Sequence, residues 1–327
     1  MVTDDADRQL TLDLRRADGR ELLRRYVQRG LLAVAAAPGG DRAAVLPGPD
    51  GGHLLELVVS LDRTIPANAP PRIAPPVRRS GEDLYLPGGP WLSLAVQAPA
   101  ACHEAIVRSL AGLAEESSGS WDRWFWLRYR DPRHGEHLRI RFHGDPARVC
   151  GVLLPSLARW AAGLRSQRLI SGFCAEPYEQ ETERYGGPAA ISAAERFFDA
   201  DSRHVLNILG ATRSDERRLI VAASAAVVIC GRIGTGTIST TGLDRAGHRR
   251  VNALRDQARK AAADPLPPEW HAALQNYCTV LGQPDGTIAS DLIHLHCNRL
   301  VPGTESLVRA LAADLIARRV HLTGGSR

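Results

Sequence analysis

In this 327-residue chain His137, Arg139, Arg141 and His143 occupy every second position of residues 136–143. Residues two apart in an extended strand share a face, so this spacing gathers four basic side chains on one side and leaves Leu138, Ile140 and Phe142 on the other. A guanidinium keeps its charge and offers a fork of donors matched to carboxylate or phosphate. Inside a cleft such a cluster would bind an anion; on an open sheet face it would simply be solvated. Residues 123–130 alternate in the same way, with Phe125, Leu127 and Tyr129 on one side and Trp124, Trp126, Arg128 and Arg130 on the other. Antiparallel pairing of the two strands is expected to hold four arginines, Arg128, Arg130, Arg139 and Arg141, on a single face.

Two later stretches add acid–base groups. Residues 181–187, ETERYGG, place Glu181, Glu183, Arg184 and Tyr185 before two flexible glycines. Residues 290–299, SDLIHLHCNR, put Asp291, His294 and Asn298 on one helical face at i, i+3 and i+7, so that the carboxylate would orient the imidazole and fix its tautomer. His294 would then serve as a general acid or base near neutral pH. An isolated histidine more often only satisfies a helix interface. A metal at His294 and His296 is not expected, because residues two apart on a helix diverge. Gly234-Thr-Gly236 follows a helical pattern and lacks a third glycine, so it is not read as a dinucleotide site.

The elements that must position these groups follow from periodicity. Residues 91–98 alternate, and residues 99–116 carry Ile106, Leu110 and Leu113 at helical spacing. The two arginine-bearing runs come next, joined through the turn-forming residues Asp131-Pro-Arg-His-Gly135. Asp145 and Pro146 supply a cap and first turn for a helix carrying Val149, Leu153, Leu157, Trp160 and Leu164. Residues 168–176 close the unit as a last strand. The order βαββαβ predicts a ferredoxin-like antiparallel sheet with both helices on one face. Beyond residue 188 the pattern is helical over 189–209, 215–231, 243–263, 268–281, 288–300 and 304–318. The fold class expected is therefore α+β with a helical C-terminal half. Three regions are read: 1–85, with a helix over 19–37, a strand-like run at 53–61 and a Pro-rich connector at 66–76; 86–187, the sheet unit; and 188–327, helices packed on the sheet to complete a cleft.

Composition narrows the class. With 44% hydrophobic and 24% charged residues the chain reads as globular. Its longest apolar run, 219–230, is too short to span a bilayer, and its start, MVTDDADRQL, lacks the charge pattern of a secretory signal, so the cytosol is the expected location. A net charge of +5 is modest, and no basic run interleaves with aromatics, so direct nucleic-acid binding is not expected. Six cysteines without close pairing suggest neither a zinc ribbon nor a disulfide framework.

As a set, five ordered blocks resemble the thiopeptide-type bacteriocin biosynthesis domain: WFWLRYRDP at 124–132, HLRIRFH at 137–143, ExxRYGG at 181–187, Ala194-Glu195 with Asp201-Ser202, and LIHLHCNRL at 292–300. That family includes the glutamate-elimination domain of class I lantibiotic dehydratases and stand-alone proteins of thiopeptide clusters. The resemblance covers residue 86 to the end and implies one of two reactions. One removes glutamate from a Ser or Thr that a separate glutamyl-tRNA-dependent partner has glutamylated, leaving dehydroalanine or dehydrobutyrine in a precursor peptide. The other, the pyridine synthase reaction, joins two dehydroalanines in a formal [4+2] cycloaddition and releases the leader peptide. Carried over residue by residue, the eliminating branch implies catalytic roles for Arg139, Arg141, Glu181, Arg184 and His294. All five are present, which favours elimination. Arg128, Tyr185, Asp291, Asn298 and Arg299 are expected to help bind substrate. A non-catalytic peptide-binding subunit is the third reading. No cofactor or metal is expected, and the partners implied are the precursor peptide and the glutamylating protein.

Elimination also suits the residue chemistry. A glutamyl ester brings a free carboxylate to be gripped, an α-proton that must leave, and negative charge that develops as a second carboxylate departs. Arginines answer the charge, and His294 the proton.

Overall fold

The computed structural model describes residues 2–3, 9–10, 15–28, 45–48, 51–54, 83–234, 236–240, 242–261 and 266–324. Two units are distinguished, Met1–Val77 and Arg78–Arg327. In the first, the described elements are a helix, Ala17–Gln28, and two hairpins that pair Val2–Thr3 with Gln9–Leu10 and Val45–Gly48 with Gly51–Leu54. Residues 29–37 of the expected helix, 55–61 of the strand-like run and the Pro-rich connector lie outside the described residues.

The second unit begins with β1 (Leu84–Tyr85), which pairs with β6 (Tyr178–Glu179). Its main sheet has four strands: β2 (Trp91–Gln97), β3 (Arg123–Asp131), β4 (Gly135–His143) and β5 (Gly172–Glu176). Their spatial order is β3-β4-β2-β5 with every neighbour antiparallel. That is the ferredoxin-like arrangement the sequence pattern predicts. Helix α1 (His103–Glu116) connects β2 to β3. The return from β4 starts at Asp145, whose side chain accepts from the Arg148 N–H. It runs through a π-helical turn, Val149–Leu153, into α2 (Leu154–Ser166). Arg168 takes φ +59° directly after this helix, so β5 starts at Gly172 rather than at 168.

Register settles which side chains share a face. Leu94 opposes Ile140, which opposes Trp126, and this row is buried in one core with Ile106, Leu110 and Leu157 of the two helices. Ser93 opposes Arg141, which opposes Phe125, and Ala95 opposes Arg139, which opposes Leu127. Arg128, by contrast, opposes Leu138, and Arg130 opposes Glu136. The expected face of four arginines is therefore corrected to two: Arg139 and Arg141 project beside Phe125, Leu127 and Tyr129, while Arg128 and Arg130 project the other way. Trp124 and Trp126 decide this, because they bury the larger apolar area and join Phe142 in the helix-covered layer.

The C-terminal half consists of α3 (Ile191–Ala211), α4 (Asp215–Arg232), α5 (Arg245–Ala261), α6 (Pro268–Leu281), α7 (Gly286–Leu300) and α8 (Glu305–Gly324). Ser214 and Asp285 cap α4 and α7 by accepting backbone N–H bonds from the first turn. No helix among the described residues is long and apolar enough to cross a membrane. Side chains of α3 and α7 also close the outer edge of β3. Asp199 accepts from the Trp124 N–H at 3.2 Å, Arg299 Nε donates to the Trp126 carbonyl at 2.8 Å, and Asn298 both accepts from the Arg128 N–H and donates to its carbonyl at 2.9 Å. An edge strand presents unpaired backbone groups, and here side chains pair them. Gly186, at φ +93°, permits the bend into α3; a Cβ there would meet Leu281 Cδ1 at 2.6 Å.

Candidate active site

The face bearing Arg139 and Arg141 opens into a cleft of about 550 Å³ that Ser93, Glu181 and Arg184 also line. A smaller adjoining pocket of about 120 Å³ shares Arg141, Glu181 and Arg184 and adds Tyr178, Tyr185 and His294. Strand geometry brings the first two arginines, the loop between β6 and α3 brings Glu181 and Arg184, and α7 brings His294.

The three arginines are held differently. Arg139 lies with Cζ 3.4 Å from the centroid of the Tyr129 ring, and its Nη2 is 3.3 Å from Asp131 Oδ2. Arg184 is tied down: Nε and Nη2 donate to the two oxygens of Asp291 at 2.6 and 2.8 Å, and Nη1 donates to Glu181 Oε2 at 2.6 Å. Those bonds hold its guanidinium charged well above the ordinary arginine range. Arg141 makes no hydrogen bond or salt bridge among the described residues, and its buried Nε has no acceptor. Its Cζ sits 4.2 Å from the centroid of Tyr178, a cation–π contact. Burial pulls Arg141 below its ordinary value, a cost that an arriving anion would offset.

Tyr178 is fixed from behind. Its hydroxyl donates to Glu195 Oε1 at 2.9 Å, Gln180 Nε2 donates to the same oxygen at 2.6 Å, and Arg123 Nη2 lies 3.5 Å from Glu195 Oε2. Burial pushes the Glu195 carboxyl up, against these three neighbours and Arg141. The block Ala194-Glu195 therefore positions the aromatic platform under Arg141.

His294 Nδ1 bonds Glu305 Oε2 at 2.7 Å, and Glu305 Oε1 in turn accepts from Arg309 Nε, with Arg309 Nη2 ion-paired at 2.7 Å. Burial pushes the Glu305 carboxyl up, but its bonds to His294 and Arg309 outweigh burial and hold it below its ordinary value. The carboxylate that orients the imidazole is thus Glu305, across the turn between α7 and α8. The expected partner, Asp291, is engaged by Arg184. With Nδ1 donating to Glu305, Nε2 is the atom left to exchange a proton.

Of the residues expected to help bind substrate, Tyr185 and Arg128 line the smaller pocket. The Tyr185 ring packs edge-on to Phe198 at 4.9 Å, and burial holds its phenol up at about 12. Arg128 stacks over Trp126 and donates to the Arg299 carbonyl, and burial lowers it to about 10. Asn298 borders the pocket but spends its amide on the backbone of Arg128. Arg299 is 1% exposed and pairs with Asp201, which also accepts from His296 and Trp270. It is a buried cation whose charge is balanced inside that network.

Sequence reasoning missed Glu305 and Tyr178. Glu305 lies eleven residues from His294 and beyond a helix break, so no face-spacing rule connects them. Tyr178 shows only as an aromatic in a two-residue strand.

The family described as lantibiotic biosynthesis dehydratase C-term matches residues 91–320. The subtilin biosynthesis protein SpaB of Bacillus subtilis is 35% identical over 132 residues, 39% of this chain and 12% of that protein. The nisin biosynthesis protein NisB of Lactococcus lactis subsp. lactis is 38% identical over 86 residues, 26% of this chain and 8% of that protein. The crystal structure of the tRNA-dependent lantibiotic dehydratase MibB from Microbispora sp. 107891 superposes with a TM-score of 0.59 at 23% identity, over 73% of this chain and 29% of that one. The fold is shared with MibB, and the chain spans a small part of the length of each relative.

Proposed function

The chain belongs to the lantibiotic biosynthesis dehydratase C-terminal family, and from that premise we propose that it eliminates glutamate from glutamylated Ser or Thr side chains of a precursor peptide. The observation that carries the reading is Arg141, a half-buried arginine whose buried Nε has no hydrogen-bond acceptor, at the junction of two pockets that also present Arg184 and His294.

In the reaction a base takes the Cα proton, the Cβ–O bond breaks, its electrons leave with the departing carboxylate, and a Cα=Cβ double bond remains. Arg141 grips a glutamate carboxylate by its fork, with Arg139 alongside. Arg184 keeps one N–H on each terminal nitrogen beyond the three it has committed, and offers these to charge that develops as the ester oxygen departs. Glu181 and Asp291 hold that guanidinium in place. His294 accepts the proton at Nε2, and Glu305 balances the imidazolium that results. Glutamylation of the peptide belongs to a separate, glutamyl-tRNA-dependent partner.

The test is mass spectrometry of a chemically glutamylated precursor incubated with the protein alone. Wild type should release glutamate and leave the dehydrated residue, while Arg141→Ala and His294→Ala should each be slower by about 100-fold or more. Undiminished release by both variants would end the proposal. A bis-dehydroalanine peptide converted to a pyridine macrocycle, with the glutamylated peptide left intact, would assign the cycloaddition instead.

A further inference from the structure

The hairpin joining β3 to β4 folds back over the sheet face that bears Arg139. Asp131 Oδ1 accepts the backbone N–H groups of Arg133 and His134 at 3.0 and 2.8 Å, closing the tip. His134 is thereby carried over the sheet until its Nε2 lies 3.1 Å from Glu176 Oε1 on β5. Register explains what it meets. Cys174 opposes Ala95 and Glu176 opposes Ser93, so the two residues, two apart on one strand, project on the same face. The small side chains of Ala95 and Ser93 on the intervening strand leave room for the imidazole. One nitrogen of His134, the Cys174 sulfur and a Glu176 carboxylate oxygen all lie within 4.8 Å of one another. The His134 side chain is only 7% exposed, and its Nδ1 is buried without a hydrogen bond, 3.4 Å from Asp131 Oδ1.

We infer that His134, Cys174 and Glu176 form a binding site for a divalent transition metal of the zinc class. One imidazole, one thiolate and one carboxylate make the mixed donor set of zinc sites that keep a fourth, open position for water. A hard cation such as magnesium or calcium would want oxygen alone. Bonds of about 2.0–2.3 Å at tetrahedral angles put donor atoms roughly 3.5 Å apart; the His134–Glu176 pair is already at 3.1 Å, and no pair of the trio exceeds 4.8 Å. Asp131 stands behind the imidazole, on the nitrogen the metal does not take, where a carboxylate fixes ring orientation and raises ligand basicity. The metal would join the hairpin tip to the far edge strand and neutralise Glu176, which lines the same cleft as Arg141. The inference stands apart from the elimination reaction, because it concerns binding and not turnover.

Full-length protein stripped with a chelator and titrated with Co²⁺ provides the test. One Co²⁺ should bind per chain with a thiolate-to-cobalt charge-transfer absorption, be displaced by Zn²⁺, and raise the melting temperature. Cys174→Ser should abolish that absorption, and His134→Ala should weaken binding by more than about 100-fold, since outer-shell partners alone are worth 10–100-fold. Cys278→Ser, a control elsewhere in the fold, should change neither. Circular dichroism establishes that each variant is folded, and Glu176→Gln serves as a further ligand variant. Absence of stoichiometric binding by wild type, or binding that survives both Cys174→Ser and His134→Ala, overturns the inference. Co²⁺ binding that His134→Ala removes but Cys174→Ser leaves intact also overturns it, placing the ion on Asp131, His134 and His137 instead.

Discussion

A guanidinium in a pocket is only as available as its neighbours leave it. Arg184 has committed three N–H groups to Asp291 and Glu181, Arg139 leans on Tyr129 and Asp131, and Arg141 has an aromatic face beneath it and no acceptor. Fork geometry, not charge alone, should therefore matter most at Arg141. Arg141→Lys should retain the positive charge yet remain at least about tenfold slower in glutamate release, because an ammonium cannot make the paired bonds. At His294 the partner carboxylate sets the tautomer. Glu305→Gln should lower kcat for elimination by about 10–100-fold with little change in KM, within the range that general acid–base catalysis contributes. Arg139 and Arg141 were legible on one face because alternation within a single strand has chemical meaning, whereas the spacing of His294 pointed to Asp291, which Arg184 engages. Glu305 was not legible, since its contact with His294 is made across a break between two helices.

At the scale of elements, alternation along residues 91–98, 123–130 and 136–143 was enough to read three strands and their order. It did not fix the face of the strand at 123–130, because that strand is apolar on both sides: Trp124 and Trp126 pack under α1 and α2, while Phe125 packs on Phe198 at 5.4 Å. Only register separates Arg128 from Arg139. The same strand explains where Asn298 and Arg299 spend their side-chain donors: both bond its backbone. Asn298→Ala should cost about 2 kcal/mol in a denaturant titration by leaving two backbone groups of Arg128 without partners, while elimination by the folded fraction continues. Arg299→Ala should cost more, about 3–5 kcal/mol, because it leaves the Asp201 carboxylate buried without its cation.

Over the whole molecule, the packing of α3 on α6 and α7 buries His204 beside Trp270 and His296. Burial and the neighbouring His296 hold its imidazole down at about 4. An unfolded imidazole takes its proton near pH 6.5, so between 6.5 and 4 the unfolded chain binds more protons and stability falls as pH drops. The full loss is about 3 kcal/mol and is complete below about pH 4. Unfolding midpoints measured from pH 7.5 to 4 should decline in that window for wild type and decline less for His204→Phe. Helical periodicity foretold those helices but not this buried network, in which His204 meets Trp270, 66 residues on, and His296, 92 residues on. The side chains of Asp199, Asn298 and Arg299 along β3 carry one last consequence. With the amides of Trp124 and Arg128 and the carbonyls of Trp126 and Arg128 already engaged, the stretch from Trp124 to Arg128 offers a poor template for strand addition: an extended peptide or a second copy that lengthened the sheet there would first have to displace those side chains.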